Sequence, residues 1–404
     1  MFYEIKLKVE KENSKGEMKE VIEHFITDVV LFAEAEAKGL EQYVGCDVIS
    51  ITRSKVVEIV NEKEEGKPFS LSPAPDCPLN TKSLNQTLIS DMDLQELRER
   101  QSWTLRQKID HSLGVIDQFI SRLNGQVYVG FSGGKDSTVL LDLCRIIKPD
   151  IKAVFCNTGN EYPDIVRFVR ELKATDGYNI EIIYPKLKPA QVFDKYGFPL
   201  ISKDVSEKLY VIKHYKNSKK AKKAIGSEKS SWAPVAKKWI ILANEIFDIN
   251  NMCCKKLKKD PFYKYEKDNN LYPILGVMAC ESIMRQTMYI NQGNCNYFDG
   301  CRKKSLPLSI WLEDDIWAYI RERGLKIADI YHKGAKRTGC MFCGYGCQFK
   351  DDNRLQLCYE LYPKMYNHFM NYTNNGVTYR EAMRKVLAVN GLFLPDEKPK
   401  TLFD

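Results

Sequence analysis

The sequence predicts an α/β protein, a parallel sheet flanked by helices with a small β-rich module ahead of it, and three observations carry that reading. VYVGFSGGKDSTVLL at 127–141 runs from strand through a glycine turn into helix. Strand-then-helix units repeat after it, as a parallel sheet requires. Residues 1–65 alternate apolar and polar with the period of half-buried strands.

Taken in order, FYEIKLKVE at 2–10 is the first strand, NSKGE a turn, and EVIEHFITDVV the returning strand. FAEAEAKGLEQYV has the propensity of a short helix, and DVISITRSKVVEIV resumes the alternation. The Pro-, Ser- and Lys-rich stretch GKPFSLSPAPDCPLNTKS opens an extended linker over 66–93. From Leu94 the pattern LQELRERQSWTLRQKIDHSLGVIDQFISRL is helical and leads into the strand QVYVGF. AVFCNTGNEYPDIVRFV supplies the next strand, loop and helix, and IEIIYPKL the strand after that. A main domain over 94–372 and a helical tail over 373–404 complete the division.

Bulk properties exclude several classes. No run of 18 apolar residues occurs, and the charged start MFYEIKLKVEKE does not read as a signal peptide, so a cytoplasmic protein without membrane contact is expected. The 13 cysteines are an odd count, which favours reduced thiols or metal ligands over a disulfide framework. The formal charge is +8, and the stretch Lys203–Lys238, with 11 lysines against Asp204, Glu207 and Glu228, accounts for all of it. Such a field attracts polyanions. Two readings stand: a solvated, mobile insertion, or a nucleic-acid contact.

The loop between strand and helix is built for an anion. Adjacent glycines let the backbone approach closely, and the first-turn N–H groups of the helix point outward unpaired. The Walker spacing GxxxxGK[ST] is absent. Ser132, Gly133, Gly134, Asp136 and Ser137 instead match the SGGxDS pattern of the PP-loop ATP pyrophosphatases, which cleave ATP between the α and β phosphates. Lys135 adds a movable charge, and Asp136 beside phosphate makes sense if Mg2+ lies between them. With GVMACESIMRQ, LPLSIWLEDDIWAYIRERGL and KRTGCMFCGYGC following in order, residues 94–372 resemble the phosphoadenosine phosphosulfate (PAPS) reductase family. The resemblance implies a Rossmann-like, adenine nucleotide α-hydrolase-like domain binding ATP. It places Thr158, Gly159 and Glu161 near the nucleotide, Glu281, Ser282 and Arg285 at the mouth of the site, and Asp136, Lys135 and Arg285 in the chemistry. The N-terminal module is similar to small uncharacterised domains of phage proteins, which would put the chain in a host cytoplasm.

Cys253 and Cys254 are adjacent, and Cys340, Cys343 and Cys347 follow in GCMFCGYGC. A CC pair with a later CxxC resembles the ligand set of the iron-sulfur adenylylsulfate reductases. By that likeness Cys253, Cys254, Cys340 and Cys343 would hold a four-iron, four-sulfur cluster, with Cys347 spare. Zinc and buried unliganded thiols remain alternatives. Cys144, Cys156 and Cys358 read as core residues, and Cys280, Cys295 and Cys301 have no assignment.

One departure matters. Reductases of this family attack sulfur with a thiolate in a C-terminal ECGLH motif, whereas Cys358 is the last cysteine here and sits in LQLCYELYP. The loop also keeps the full ATP-type form, as in enzymes that put sulfur into tRNA or the DNA backbone. Three functions follow: an ATP pyrophosphatase adenylating an acceptor for sulfur transfer, with a sulfur donor or reductant protein as partner; a sulfonucleotide reductase; or a non-catalytic nucleotide-binding module.

Overall fold

The structure, a computed structural model, describes residues 91–397 apart from 230–232, 293–294 and 299–301; before residue 91 it describes the backbone of five strands. These are β1 (Phe2–Glu12), β2 (Met18–Asp28), β3 (Asp47–Arg53), β4 (Val56–Ile59) and β5 (Leu71–Pro73). β1 is the centre of a three-stranded antiparallel sheet in the order β2-β1-β3, with Phe2 opposite Asp28 and Glu12 opposite Met18. The strand expectations for FYEIKLKVE, EVIEHFITDVV and DVISITRSKVVEIV thus hold where they are described. The helix expected at FAEAEAKGLEQYV lies outside the described residues, as do Cys301 and most of 66–93.

The chain divides into two compact units that exchange segments along the sequence: residues 1–127, 142–149 and 274–322 in the first, the remainder in the second. In the first unit the long helical pattern from Leu94 is two helices, Asp91–Gln101 and Leu105–Arg122. Thr104 makes the break. Its side chain accepts the Gln107 N–H while the Gln107 side chain accepts the Thr104 N–H, a reciprocal cap that starts a new helix. The second helix buries Lys108, Ser112, Leu113, Ile116 and Phe119, spaced to share one face. Ser112 accepts from Nε1 of the fully buried Trp311 at 2.9 Å, and Lys108 meets Asp315 at 2.6 Å.

The next strands along the chain are β6 (Val127–Gly130), β7 (Lys152–Cys156), β8 (Asn179–Ile183), β9 (Leu200–Ile201), β10 (Tyr272–Leu275), β11 (Asn296–Tyr297) and β12 (Lys304–Ser305). In the second unit the order is β10-β6-β7-β8, with β6, β7 and β8 parallel. In the first, β10 pairs in parallel with β12, and β11 runs antiparallel on β12. The result is the α/β class that the sequence predicts, with a mostly parallel central sheet; β9 lies outside it and pairs with β13 (Gly344–Tyr345).

Val127, Tyr128 and Val129 of β6, and Ala153 to Cys156 of β7, are buried, which is why these strands read as apolar runs rather than alternations. Cys144, Cys156 and Cys358 are buried, as expected. No helix among the described residues is long and apolar enough to cross a membrane.

Candidate functional site

The second unit carries the glycine loop. β6 ends at Gly130, the Phe131 N–H still pairs with the Val154 carbonyl at 2.9 Å, and the helix Lys135–Ile147 follows the glycines directly. Gly133 has φ +71°, and a Cβ there would lie 2.9 Å from Cγ2 of both Ile165 and Val169, so glycine alone fits. Ser137 Oγ donates to the Gly134 carbonyl at 2.9 Å and accepts the Ser132 N–H at 3.2 Å. Ser132 Oγ accepts the Gly134 N–H at 3.3 Å. These bonds hold the loop in shape, while the amides of Asp136 and Ser137, in the first helical turn, have no partner within the helix.

Lys135 is buried and its ammonium meets the Asp136 carboxylate at 3.0 Å, with Asp136 28% exposed. Two hydroxyls that the sequence reading missed close the loop from above. The Lys135 N–H donates to the Tyr331 hydroxyl at 2.9 Å, and Tyr331 shares a hydrogen bond with Thr338 at 2.9 Å. A Cβ on Gly134 would come within 2.6 Å of Thr338 Oγ1, which explains the second glycine. Nothing local marks Tyr331, since it lies 196 residues from Lys135.

Thr158, Gly159 and Glu161 follow β7 in the same unit, at the strand ends where α/β sheets bind ligands. The Glu161 carboxylate accepts both the Thr158 N–H at 2.9 Å and the Thr158 hydroxyl at 2.7 Å, and Gly159 has φ +80°. A cavity of about 620 Å³ opens here, lined by Asn157, Gly159, Glu161, Arg167, Arg170 and Met365 among others. It does not include residues 132–137. The loop packs on Ile165 and Val169 of the helix Pro163–Ala174, and the cavity borders Val166 and Arg170 of that helix.

Asp164 fastens the Tyr331 segment to that helix. Its fully buried side chain receives Lys333 Nζ at 2.8 Å and the Tyr362 hydroxyl. Burial works to raise its pKa, but the bonds from Lys333 and Tyr362 and the charges of Lys333 and Arg167 outweigh it and hold the carboxyl below its ordinary range. A depressed carboxyl stabilises the fold above its unfolded pKa of about 3.9, and that contribution is lost as pH falls through the folded value. Asp164→Asn should therefore cost about 1.5–3 kcal/mol at pH 7, and the thermal midpoints of the two proteins should converge on titration toward pH 3. A constant gap across that range would show that the carboxyl is not depressed.

Cys253 and Cys254 lie on the short helix Met252–Cys254, which runs into a π turn at Lys255–Lys259. Cys340 and Cys343 face each other across a turn closed by the Cys343 N–H on the Cys340 carbonyl at 3.2 Å. The two pairs are brought into one neighbourhood. Burial pushes the Cys253 thiol well up, with Cys340, Cys254 and Cys343 acting in the same direction; burial also pushes Cys340 up, to about 12. Lys258, also missed from sequence, is raised first by Cys340 and then, against burial, by Glu161, Cys254 and Cys343. Nothing distinguishes it within the KKLKK run. The Cys347 Sγ donates to the Cys343 carbonyl at 3.0 Å and faces Arg354 Nη2 at 3.9 Å.

Among the described residues, no three His, Cys, Asp or Glu side chains are placed to hold one metal ion. Zinc requires four ligands converging at about 2.0–2.3 Å. Burial favours protonated thiols here, and the Lys258 charge occupies the same neighbourhood.

Glu281, Ser282 and Arg285 belong to the first unit and contact one another. Arg285 pairs with Glu281, the Glu281 carboxylate accepts the Met278 N–H at 3.1 Å, and Ser282 Oγ accepts the Arg285 N–H at 3.3 Å. Next to them Ile283 and Met284 are 82% and 76% exposed.

The model of the phosphoadenosine phosphosulfate reductase domain matches residues 126–225 and 201–345, more than half of the chain. The chain belongs to this family. Residues 1–71 match a domain of unknown function, DUF4494. Among relatives, an uncharacterized protein of Methanocaldococcus jannaschii is 23% identical over 64% of this chain and 51% of its own length. A second from the same organism is 23% identical over 58% of this chain and 39% of its length, so the chain spans about half or less of these two proteins. Adenosine 5'-phosphosulfate reductase 2 of Bacillus subtilis is 22% identical over 55% of this chain and 74% of the relative.

Two solved structures match at lower identity. The Candida auris phosphoadenylyl-sulfate reductase, a phosphate complex, has TM-score 0.37 and 15% identity, covering 65% of this chain and 98% of that one. The NH3-dependent NAD synthetase of Campylobacter jejuni has TM-score 0.32 and 13% identity, covering 74% and 100%.

Proposed function

We propose that this PAPS reductase family chain is an ATP pyrophosphatase that adenylates an acceptor, in preparation for sulfur transfer. The observation that carries the reading is the FSGGKDS loop: two glycines that admit no side chain, a helix start, and a partly exposed Asp136 beside a buried Lys135. Phosphates would lie on the open first-turn amides and the positive helix end, with Mg2+ between them and Asp136. Thr158, Gly159 and Glu161 would border the nucleotide. In the step, an acceptor oxygen bonds to the α-phosphorus, the α–β bridging oxygen leaves with its electron pair as pyrophosphate, and the acceptor proton passes to solvent. Lys135 offsets charge that develops on the departing phosphates.

The rival reading is a sulfonucleotide reductase, favoured by relatives named as such. Against it stands Cys358, fully buried in the helix Arg354–Leu361 and so unable to serve as a mobile nucleophile. The assay offers ATP with tRNA and DNA acceptors, and separately PAPS with thioredoxin. Pyrophosphate formation is the expected result, with the AMP moiety carried on the acceptor until water or a sulfur nucleophile displaces it as free AMP; sulfite release without ATP cleavage would overturn it.

For the cysteines we assign a four-iron, four-sulfur cluster on Cys253, Cys254, Cys340 and Cys343. In a cubane each thiolate binds a different iron, so the sulfurs surround a body instead of meeting at one ion. Lys258 supplies positive charge for that anionic group. Such a cluster would cross-link the 252–254 helix to the 340–343 turn. Protein purified without oxygen should contain about four irons and absorb in the thiolate charge-transfer region, and Cys340→Ala should abolish that absorption. Stoichiometric zinc without iron would refute the assignment.

A further inference from the structure

The basic stretch is folded. Ser202 caps the helix Lys203–His214, and Ser218 caps the helix Lys219–Ile225 by accepting the Ala221 N–H at 3.1 Å. Leu209, Ala221, Ala224 and Val235 are buried among the residues of this stretch. Its lysines sort into two sets. Lys208 is buried between Asp204 at 2.5 Å and the Ala233 carbonyl at 2.6 Å; Lys213 pairs with Asp248 and Lys220 with Glu207. Lys216, Lys219, Lys222, Lys223, Lys229 and Lys237 have no ion-pair partner among the described residues.

Lys219, Lys222 and Lys223 recur at i, i+3 and i+4, so they share one face, while Ala221 and Ala224 turn inward. Like charges at that spacing cost a helix about 0.2–0.5 kcal/mol per pair. The face is therefore unfavourable to its own fold and needs an external anion to offset it. The family model matches in two segments that overlap at 201–225, so the module sits where the family domain is interrupted. The rest of the chain is neutral, with 50 basic and 50 acidic residues, and the attraction is local to this face.

We propose that this lysine face docks the phosphate backbone of a nucleic acid without reading its sequence. Lysines alone are point charges suited to phosphate contact, while base recognition draws on forked or amide side chains. A lipid surface fits less well: an interfacial helix needs a broad exposed apolar face opposite its charges, and here Ala221 and Ala224 are buried and Ile225 is the one large apolar side chain of the helix that is exposed. The inference deepens the proposed adenylation by naming the acceptor class, but docking can be measured without ATP.

The experiment is fluorescence anisotropy of the full chain with a 20-bp DNA duplex and with an RNA hairpin, between 50 and 200 mM salt and without nucleotide. Lys219→Gln, Lys222→Gln and Lys223→Gln together should lower the slope of log K against log salt by up to about 2.7, near 0.9 per contact on duplex DNA. The salt-driven loss over that range then shrinks by about 40-fold. A control changing Lys173, Lys326 and Lys364 to Gln removes the same charge and should leave the slope unchanged. Equal slopes for wild type and the first variant, or binding to phosphatidylserine vesicles with no binding to either nucleic acid, would overturn the proposal. ATP cleavage persisting beside such a failure would leave the pyrophosphatase reading intact and remove only the docking face.

Discussion

Asp136→Asn is expected to lower ATP cleavage by at least about 100-fold, roughly 2.7 kcal/mol of transition-state stabilisation. Asparagine keeps the shape and an acceptor oxygen for Lys135, whose ammonium lies 3.0 Å away. What it removes is the negative charge that would hold Mg2+ against the phosphates. The fold should change little, because the side chain is partly exposed and the pair is local, so a stability loss of about 1 kcal/mol or less is expected. The decisive measurement is pyrophosphate release with thermal midpoint in parallel. Full turnover in the variant would remove Asp136 from the chemistry. Sulfite release from PAPS that survives the substitution would favour the reductase.

Gly133→Ala should be costly in a different way. At φ +71° an alanine is strained by about 1–2 kcal/mol, and its Cβ would press on Ile165 and Val169 at 2.9 Å. Overpacking of that kind adds about 1–3 kcal/mol. The sum is about 2–5 kcal/mol, a large share of a typical domain's 5–15 kcal/mol. If the chain yields by moving the loop, ATP binding should fall at least tenfold even where folding survives. Calorimetric titration with a non-hydrolysable ATP analogue separates the two. Wild-type stability together with wild-type affinity would show that the loop is not held as described.

The Gly133 position is dictated by backbone geometry, and that is why the loop was legible in the sequence. Gly133 must be glycine for local reasons, and a strand before it and a helix after it can be read from hydrophobic patterning. The same holds for β6 to β8, whose apolar runs announce burial on both faces. Tyr331 and Thr338 were not legible, because a tyrosine near the loop in space carries no local mark in sequence. Lys258 was hidden for the opposite reason: it is one lysine among several, and only the fold turns it toward Cys340. The helix break at Thr104 was available in principle from the Thr-x-x-Gln spacing and was overridden by a continuous apolar pattern. For the lysine stretch, composition gave charge but not order, so a mobile insertion was as good a reading as a nucleic-acid contact.

The hydrogen bond from Lys135 to Tyr331 has a consequence for synthesis. Its partners are separated by 196 residues, so the ribosome delivers the loop long before the hydroxyl that closes it. At about 5–20 residues per second, the nascent chain waits about 10–40 s for the second half of its own phosphate site. During that interval β6, β7 and the helices between them can collapse on local contacts, but the Lys135 amide has no tyrosine to meet. Closure of the loop is thus a late event of maturation, and a chain halted before Tyr331 would carry every residue of FSGGKDS with the loop still unclosed.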